Sequence, residues 1–355
     1  MGKKSLLIDY VRTVLSISIR KNVTFGSHNF QEMSCDAVVT KAPSRFQSIF
    51  SDFTQYTNVF GINIIANSAI DELKVYHTAC IFKGYLDNDN DGICDDPKLC
   101  DKLKEEDATL AIFPCAPTVF DLIRVIYLSG ICVDMVLFDE EIIPRSCAYQ
   151  NVDNCEYRFD ATLEEVLHLI TDTGVSAVYP EFSTNFQSTL GSYIKELNGD
   201  CGFGFSNDYV NPSSEFCDGF YAYDDSTCDE SCVVTEGIYW AITSLLGAQE
   251  YRAYSISNEW LLVNSSLMES RAPELTQFLR DKDSFPWLPL NLPNTTYSSR
   301  RMLNAKFDYD IEQGTQVKSR FTSQKIKDLE NYARMVTGFF SFIFIVFLIN
   351  YKRNR

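Results

Sequence analysis

Apolar residues recur at helical spacing between residues 159 and 174 of the 355-residue chain. They form one face of a predicted helix, made by Leu163, Val166, Leu167 and Ile170. The opposite face carries three carboxylates and one imidazole, from Glu164, Glu165, His168 and Asp172. Gly174 follows the last periodic residue and predicts the end of the helix. Groups that bind metal ions are therefore gathered on about two helical turns.

This polar face has two interpretations. Thr162 and Glu165 have the spacing of a capping box, and acidic residues in a first turn suit the helix dipole. His168 would then be an ordinary solvated or hydrogen-bonded residue. In the second interpretation, Glu164 and His168 lie four residues apart and face a shared metal ion beside the helix.

The region before this helix alternates between strand and helix patterns. Short apolar runs predict strands at 60–66, 109–113 and 133–138. Helical patterns are predicted at 44–58, 70–86 and 117–129. The alternation favours an α/β or α+β sheet, and we expect an α+β fold with a mixed sheet covered by helices. No glycine-rich phosphate loop follows these strands, so the sequence gives no support for nucleotide binding.

The region after the central helix is predicted to be helical and rich in disulfides. Further helices are predicted at 184–197, 232–247 and 272–281, with a disulfide-pinned insertion at 198–229. Glu236 is the only charged residue in the apolar stretch 232–247. It is either a first-turn glutamate favoured by the helix dipole, with Thr235 as its cap, or a metal ligand.

The run Glu164-Glu165-Val-Leu-His168 is similar to the His-Glu-x-x-His helix of zinc peptidases, with Glu164 in place of the first histidine. In the gluzincin branch, a later helix supplies one glutamate to the metal, and Glu236 has a similar place in the order of elements. The order also loosely resembles the catalytic domain of lethal-factor-type peptidases. This resemblance implies a helical, zincin-like subdomain that binds zinc through Glu164, His168 and Glu236. It also implies that Glu165 is the general base and that a peptide or protein is the substrate.

One further role belongs to the zincin-like interpretation, and a second resemblance stands apart from it. Asp172, one turn beyond His168, would be an outer-shell partner or a substitute ligand. The segments 159–174 and 235–249 also resemble blocks of an uncharacterised family of secreted proteins, which implies a shared fold and no particular activity.

A second metal motif lies upstream. Residues 87–96 place aspartates at alternate positions followed by Gly92, as in the calcium loops of EF-hand, dockerin and thrombospondin type 3 proteins. Lys98 stands where an EF-hand has its bidentate glutamate. The predicted calcium ligands are Asp87, Asp89, Asp91, Asp95 and Asp96. The alternative is an Asp/Asn-rich surface turn.

Composition narrows the class of protein. The formal net charge of −17 argues against nucleic-acid binding. Twelve cysteines without a Cys-x-x-Cys pair favour disulfides in an oxidising compartment. The expected close pairs are Cys94/Cys100, Cys147/Cys155, Cys201/Cys217 and Cys228/Cys232. Glycosylation sequons begin at Asn22, Asn264 and Asn294.

The chain ends in an apolar run at 335–351, followed by a basic tail at 352–355. These features predict a single membrane span with a cytoplasmic C-terminus and an extracellular or lumenal ectodomain. A tail-anchored protein with a cytosolic body is the alternative, and the cysteines argue against it. Residues 1–40 are a degenerate signal, an amphipathic helix or an incomplete start. Residues 41–150 form the predicted sheet subdomain, 151–313 the helical subdomain and 314–334 a stalk.

The sequence therefore predicts a membrane-anchored, calcium-binding α+β ectodomain that is a zincin-like metallohydrolase or its inactive descendant. A non-enzymatic surface or binding glycoprotein is the alternative. In a third interpretation, calcium is the only metal. His28 and His77 are the other two histidines, and lone histidines of this kind are usually not ligands.

Overall fold

A mixed five-stranded sheet forms one layer of the computed structural model, which describes residues 35–47, 51–114, 133–149 and 155–293. The strands are β1 (Thr40–Lys41), β2 (Phe53–Val59), β3 (Ile62–Asn67), β4 (Thr109–Phe113) and β5 (Met135–Phe138), and their spatial order follows the chain. The pairs β1–β2 and β2–β3 are antiparallel, whereas β3–β4 and β4–β5 are parallel. The fold of the described residues is α+β, as the sequence predicted.

Nine α-helices are present in the described part of the chain. They are α1 (Ser44–Gln47), α2 (Glu72–Leu86), α3 (Pro97–Glu105), α4 (Thr162–Leu169), α5 (Ser176–Val178), α6 (Thr189–Asn198), α7 (Glu230–Leu245), α8 (Ser265–Arg271) and α9 (Pro273–Phe278). The long helix predicted at 44–58 is wrong, because α1 is one turn and β2 occupies the second half of that range. The β-branched and aromatic residues of β2 pair with β3 through a tight connection, in which Phe60 and Gly61 have positive φ angles.

Alternate residues of the central strands pack on opposite faces of the sheet. Ile64 and Ile112 belong to the main core, whereas Ile65 and Ala111 belong to a smaller cluster on the other face. The main core continues from β3 through α2, α4 and α7 to Trp287. The two predicted subdomains, 41–150 and 151–313, thus share one continuous core in the described residues.

The central helix does not end at Gly174. A π-helical turn, Ile170–Val175, continues α4 into α5. Gly174 lies within this turn, and a Cβ atom there would lie 2.5 Å from a Leu99 methyl carbon and 2.8 Å from one of Leu103. The glycine therefore permits close packing against α3 instead of stopping the helix, so the predicted stop is wrong. Insertions of this kind inside helices are frequent at functional sites.

The predicted capping box at the start of α4 is also wrong. Thr162 is the first residue of the helix, and its buried hydroxyl has no hydrogen-bond partner among the described residues. The backbone amide of Thr162 donates instead to the buried Asp160 carboxylate, at 3.2 Å. Asp160 accepts this hydrogen bond at the start of α4, so Glu165 is not needed there as a capping partner.

Five disulfides cross-link the described residues. They are Cys35–Cys80, Cys94–Cys100, Cys147–Cys155, Cys201–Cys217 and Cys228–Cys232. All four close pairs predicted from sequence are confirmed. The remaining two cysteines, Cys115 and Cys132, lie outside the described residues.

Within the described ranges, no helix has the length and apolar character needed to span a membrane. The predicted membrane segment, stalk and basic tail lie outside those ranges, as do residues 1–34 and the helix predicted at 117–129.

Candidate metal centre

Two helices bring the three predicted metal ligands together. Glu164 and His168 lie on α4, and Glu236 lies on α7, which packs against α4. One ligand atom from each of the three side chains lies within 4.8 Å of the others. His168 Nε2 lies 3.7 Å from Glu236 Oε2. The arrangement presents two carboxylates and one imidazole to a common point.

The position of Glu236 within α7 rules out one of its two sequence-based interpretations. The helix begins at Glu230 and is capped by Asp229, whose side chain accepts a hydrogen bond from the amide of Cys232 at 3.1 Å. Glu236 is consequently beyond the first turn, and Thr235 is not its cap. The Glu236 side chain is only 12% exposed. Neither helix capping nor solvation accounts for a carboxylate at this position.

Two polar atoms of the cluster are buried without a hydrogen-bond partner in the described structure, His168 Nε2 and Glu236 Oε2. His168 as a whole is 6% exposed. Leaving a buried polar atom unsatisfied costs about 1–3 kcal/mol, and more for a charged group. Both atoms face the same space, and a cation between them would satisfy both.

The electrostatics of the cluster also favour the binding of a cation. Burial is the largest influence on Glu236 and, with the neighbouring Glu164 and Glu165, raises its pKa to about 8 against the opposing effect of His168. Burial also raises the pKa of Glu164. Burial opposes protonation of His168, but the surrounding glutamates outweigh it and raise the pKa of His168 to about 9. Without a cation the cluster therefore retains protons at neutral pH, and metal binding would displace them.

Further side chains support the three ligands. Glu165 Oε2 lies 3.7 Å from Nδ1 of His168, the ring nitrogen that does not face Glu236. The Tyr239 hydroxyl interacts with the Glu164 carboxylate, and the Tyr239 ring meets the His168 ring edge to face, with ring centres 5.5 Å apart. Arg252 donates to the Tyr239 oxygen at 2.6 Å. The phenol oxygen therefore accepts a hydrogen bond from Arg252, which leaves its own proton available to the Glu164 carboxylate.

These supporting residues are harder to find from sequence. Tyr239 lies three residues after Glu236, so helical spacing places the two side chains on neighbouring parts of one face. Arg252 lies in a 3-10 turn beyond the end of α7, and no periodic pattern links it to the cluster. Its position depends on tertiary packing, where its guanidinium stacks 3.5 Å above the ring centre of Phe159.

Asp172 does not join the cluster. It lies in the π-helical turn, is exposed, and accepts a hydrogen bond from the Thr235 hydroxyl at 3.3 Å. The extra residue in the π-turn changes the helical spacing after His168. Asp172 thus links the central helix to α7 near the edge of the site.

The predicted calcium loop connects α2 to α3 and brings together Asp87, Asp89 and Asp91, whose carboxylate oxygens lie within 4.8 Å of one another. Asp87 accepts hydrogen bonds from the amides of Asp91 and Gly92, each at 3.0 Å. Gly92 has a φ angle of +87°, which glycine adopts without strain. The carboxylates at the first three alternating positions of the motif therefore lie close together.

The other two predicted calcium ligands are engaged elsewhere. Asp95 Oδ2 accepts a hydrogen bond from the Asn88 side chain at 2.8 Å and lies 3.2 Å from Lys282 Nζ. Asp96 caps α3 and accepts a hydrogen bond from the Tyr179 hydroxyl at 2.5 Å. Neither belongs to the cluster of Asp87, Asp89 and Asp91.

The remaining candidates from the sequence are the sequon asparagines and His77. Asn264 is the N-cap of α8, and its side chain accepts a hydrogen bond from the amide of Leu267 at 3.0 Å. Asn22 and Asn294 lie outside the described residues.

His77 is fully buried on α2, with Nε2 2.6 Å from Asp160 Oδ2. This buried pair serves the core and takes no part in the metal cluster.

Comparison with known proteins gave no relative: no family model, curated protein or solved structure matches the chain.

Proposed function

We propose that the protein is a metal-dependent hydrolase whose divalent cation is held by Glu164, His168 and Glu236. The observation that carries this proposal is the pair of buried, unpartnered atoms, His168 Nε2 and Glu236 Oε2, beside a third ligand within 4.8 Å. Three protein ligands with a remaining open position are typical of catalytic zinc sites. Two carboxylates and one imidazole suit zinc, and they also suit harder transition metals.

A zinc ion in such a site polarises a carbonyl group and acidifies water, which is the chemistry of metallohydrolases. The chain's own residues hold and shape the site. Tyr239, itself held by Arg252, orients Glu164, while the packed faces of α4 and α7 bury His168 and Glu236. A peptide or protein substrate is the class that the gluzincin-like helix supports.

The metal content of the purified protein tests this proposal. We expect the wild-type chain to retain a tightly bound transition metal, and Glu236→Gln and His168→Ala to lose it. Glu196→Gln, an exposed glutamate of α6, is the matched control and should leave metal content unchanged. Equal metal content in all four proteins would overturn the assignment of the ligands.

Activity is tested separately, because a metal site need not be catalytic. The metal-loaded wild type is incubated with a mixed library of quenched fluorescent peptides. We expect hydrolysis that a chelator abolishes and that Glu236→Gln lacks. A metal-loaded but inert protein would instead support the non-enzymatic binding glycoprotein or an inactive descendant of a hydrolase.

We propose a second, structural metal site for calcium at Asp87, Asp89 and Asp91. Their convergence around the turn at Gly92, between α2 and α3, supports this assignment. Calcium at 100 times its Kd would stabilise the fold by about 2.7 kcal/mol. We expect calcium to raise the melting temperature of the wild type, and Asp89→Asn with Asp91→Asn to remove that response. The exposed Asp218→Asn variant should respond like the wild type.

We further propose that the described region faces an extracellular or lumenal space and is tethered to a membrane through residues 335–351. Five disulfides support an oxidising compartment. The membrane segment rests on its sequence alone. Protease protection of the tagged C-terminus in sealed vesicles tests the orientation, and a freely soluble full-length chain would contradict the tether.

A further inference from the structure

The two ring nitrogens of His168 face different carboxylates. Nε2 lies 3.7 Å from Glu236, whereas Nδ1 lies 3.7 Å from Glu165. The lone-pair and N–H directions of the two ring nitrogens diverge within the plane of the imidazole. A group bound to Nδ1 therefore does not face a cation bound to Nε2. Glu165 therefore lies beside Nδ1 of the imidazole and Glu236 beside Nε2.

From this geometry we propose that Glu165 is a positioning residue for His168 and not the general base of the reaction. The inference rests on the proposed metal site. A histidine that binds metal through Nε2 is neutral and carries its proton on Nδ1. The Glu165 carboxylate lies 3.7 Å from Nδ1, so a small side-chain movement on metal binding would bring the two within hydrogen-bond distance. The carboxylate fixes the tautomer and increases the basicity of the ligating nitrogen.

A general base has a different geometric requirement. It must come within about 2.6–3.2 Å of the water whose proton it removes, directly or through one further water. The water in question would sit beside the cation, in the space enclosed by Nε2 of His168, Glu164 and Glu236. Glu165 instead lies nearest the other ring nitrogen, 3.7 Å from Nδ1.

Neither helix capping nor exposure to solvent explains the position of the Glu165 side chain. The capping role fails because Thr162 does not cap α4, and the Thr162 hydroxyl has no hydrogen-bond partner among the described residues. Solvation alone does not determine its orientation, because the Glu165 side chain is 27% exposed and lies beside a ring that is 7% exposed. Tyr239 packs against the same ring. Glu165 and Tyr239 together restrict how the imidazole can turn.

The decisive experiment separates metal affinity from turnover in the full-length protein. Zinc affinity is measured by competition with a chelating dye for the wild type, Glu165→Ala, Glu165→Gln, Glu165→Asp and the exposed control Glu196→Gln. A positioning role predicts a loss of zinc affinity of about 10–100-fold for Glu165→Ala, since supporting partners of metal-bound histidines have effects of this size. Glu165→Asp should restore part of the affinity.

Two further readouts use the same variants. The visible absorption of the cobalt-loaded protein should change in Glu165→Ala and remain unchanged in Glu196→Gln, because the histidine ligand is reoriented only in the former. At saturating zinc, Glu165→Ala should retain most of the wild-type turnover. Thermal unfolding curves check that each variant is folded.

The outcomes are distinct. Unchanged zinc affinity in Glu165→Ala, with turnover lowered about 10²–10⁴-fold at saturating zinc, would show a general base and overturn the positioning role. A wild type that binds no zinc, cobalt or manganese would overturn both the metal site and this inference. Metal binding that depends on His168 and Glu236 but not on Glu165 would overturn only the inference.

Discussion

At the scale of single residues, two buried histidines have opposite surroundings. His77 Nε2 lies 2.6 Å from Asp160 Oδ2, and the Tyr149 hydroxyl donates to the same carboxylate oxygen at 2.5 Å. His168 Nε2 is also buried but has no hydrogen-bond partner in the described structure. Since buried polar atoms are nearly always paired, the pairing of His77 marks it as structural. The same rule makes His168 the candidate ligand.

The buried Asp160 predicts how stability depends on pH. Burial alone would raise the pKa of this carboxyl, but His77, Tyr149 and the amide of Ile143 bring it below its usual value. A lowered folded-state pKa stabilises the fold above the unfolded pKa of about 3.9, and this contribution is lost as the pH falls through the folded value. Acid should therefore destabilise the wild type through this group.

Asp160→Asn tests that expectation in urea unfolding experiments between pH 2 and pH 7. The variant should lose about 1–3 kcal/mol near neutral pH, because His77, Tyr149 and the amide of Ile143 lose the carboxylate that they share. Its stability should fall less steeply than that of the wild type below pH 4. The exposed Asp218→Asn is the control. Parallel pH curves for Asp160→Asn and the wild type would contradict the assigned role.

At the scale of secondary-structure elements, periodicity predicted which side chains share a helix but not how the helices end. The spacing of Glu164 and His168 on α4, and the presence of Glu236 on a later helix, could be proposed from sequence. The residues that accept hydrogen bonds from amides at the starts of these helices, Asp160 and Asp229, could not be distinguished from other polar residues before the helices. The π-turn also has no periodic signal, so the sequence placed a helix end at its glycine. The approach of α7 to α4 requires tertiary contacts that periodicity does not encode.

The packing of the π-turn against α3 gives an element-scale prediction. A methyl group at residue 174 would lie 2.5 Å from Leu99 and 2.8 Å from Leu103, both fully buried. We expect Gly174→Ala to destabilise the protein, because overpacking costs about 1–3 kcal/mol. The better helix propensity of alanine, about 1 kcal/mol, offsets only part of this cost.

Urea unfolding of a double-mutant cycle checks this prediction. Leu99→Ala makes room at the contact, so Gly174→Ala should cost less in that background than in the wild type. Thr173→Ala, one residue earlier in the same turn, should change stability by less than about 0.5 kcal/mol if no specific contact is lost. If the Gly174→Ala penalty is the same in both backgrounds, contact with Leu99 is not its cause.

At the scale of the whole molecule, one core extends through the sheet region and the helical region of the described chain. The alternating pattern predicted strands β4 and β5 and the α+β class, because buried strands are short and apolar. It missed β2, whose polar residues Thr54, Gln55, Thr57 and Asn58 resemble a helix pattern when seen without the pairing partner β3. Cysteine spacing predicted the local disulfides, but the distant partner of Cys80 required the fold.

That distant disulfide gives the last prediction. Cys35–Cys80 spans 45 residues and joins the start of the described chain to α2, whereas Cys228–Cys232 spans four residues at the start of α7. In the chain-entropy account, a cross-link stabilises by restricting the unfolded chain, by about 4 kcal/mol for the longer loop and about 2 kcal/mol for the shorter one. The paired variant Cys35→Ala/Cys80→Ala should therefore be less stable than Cys228→Ala/Cys232→Ala in urea without reductant. Equal losses would indicate that contacts in the folded state, rather than restriction of the unfolded chain, determine what these disulfides contribute.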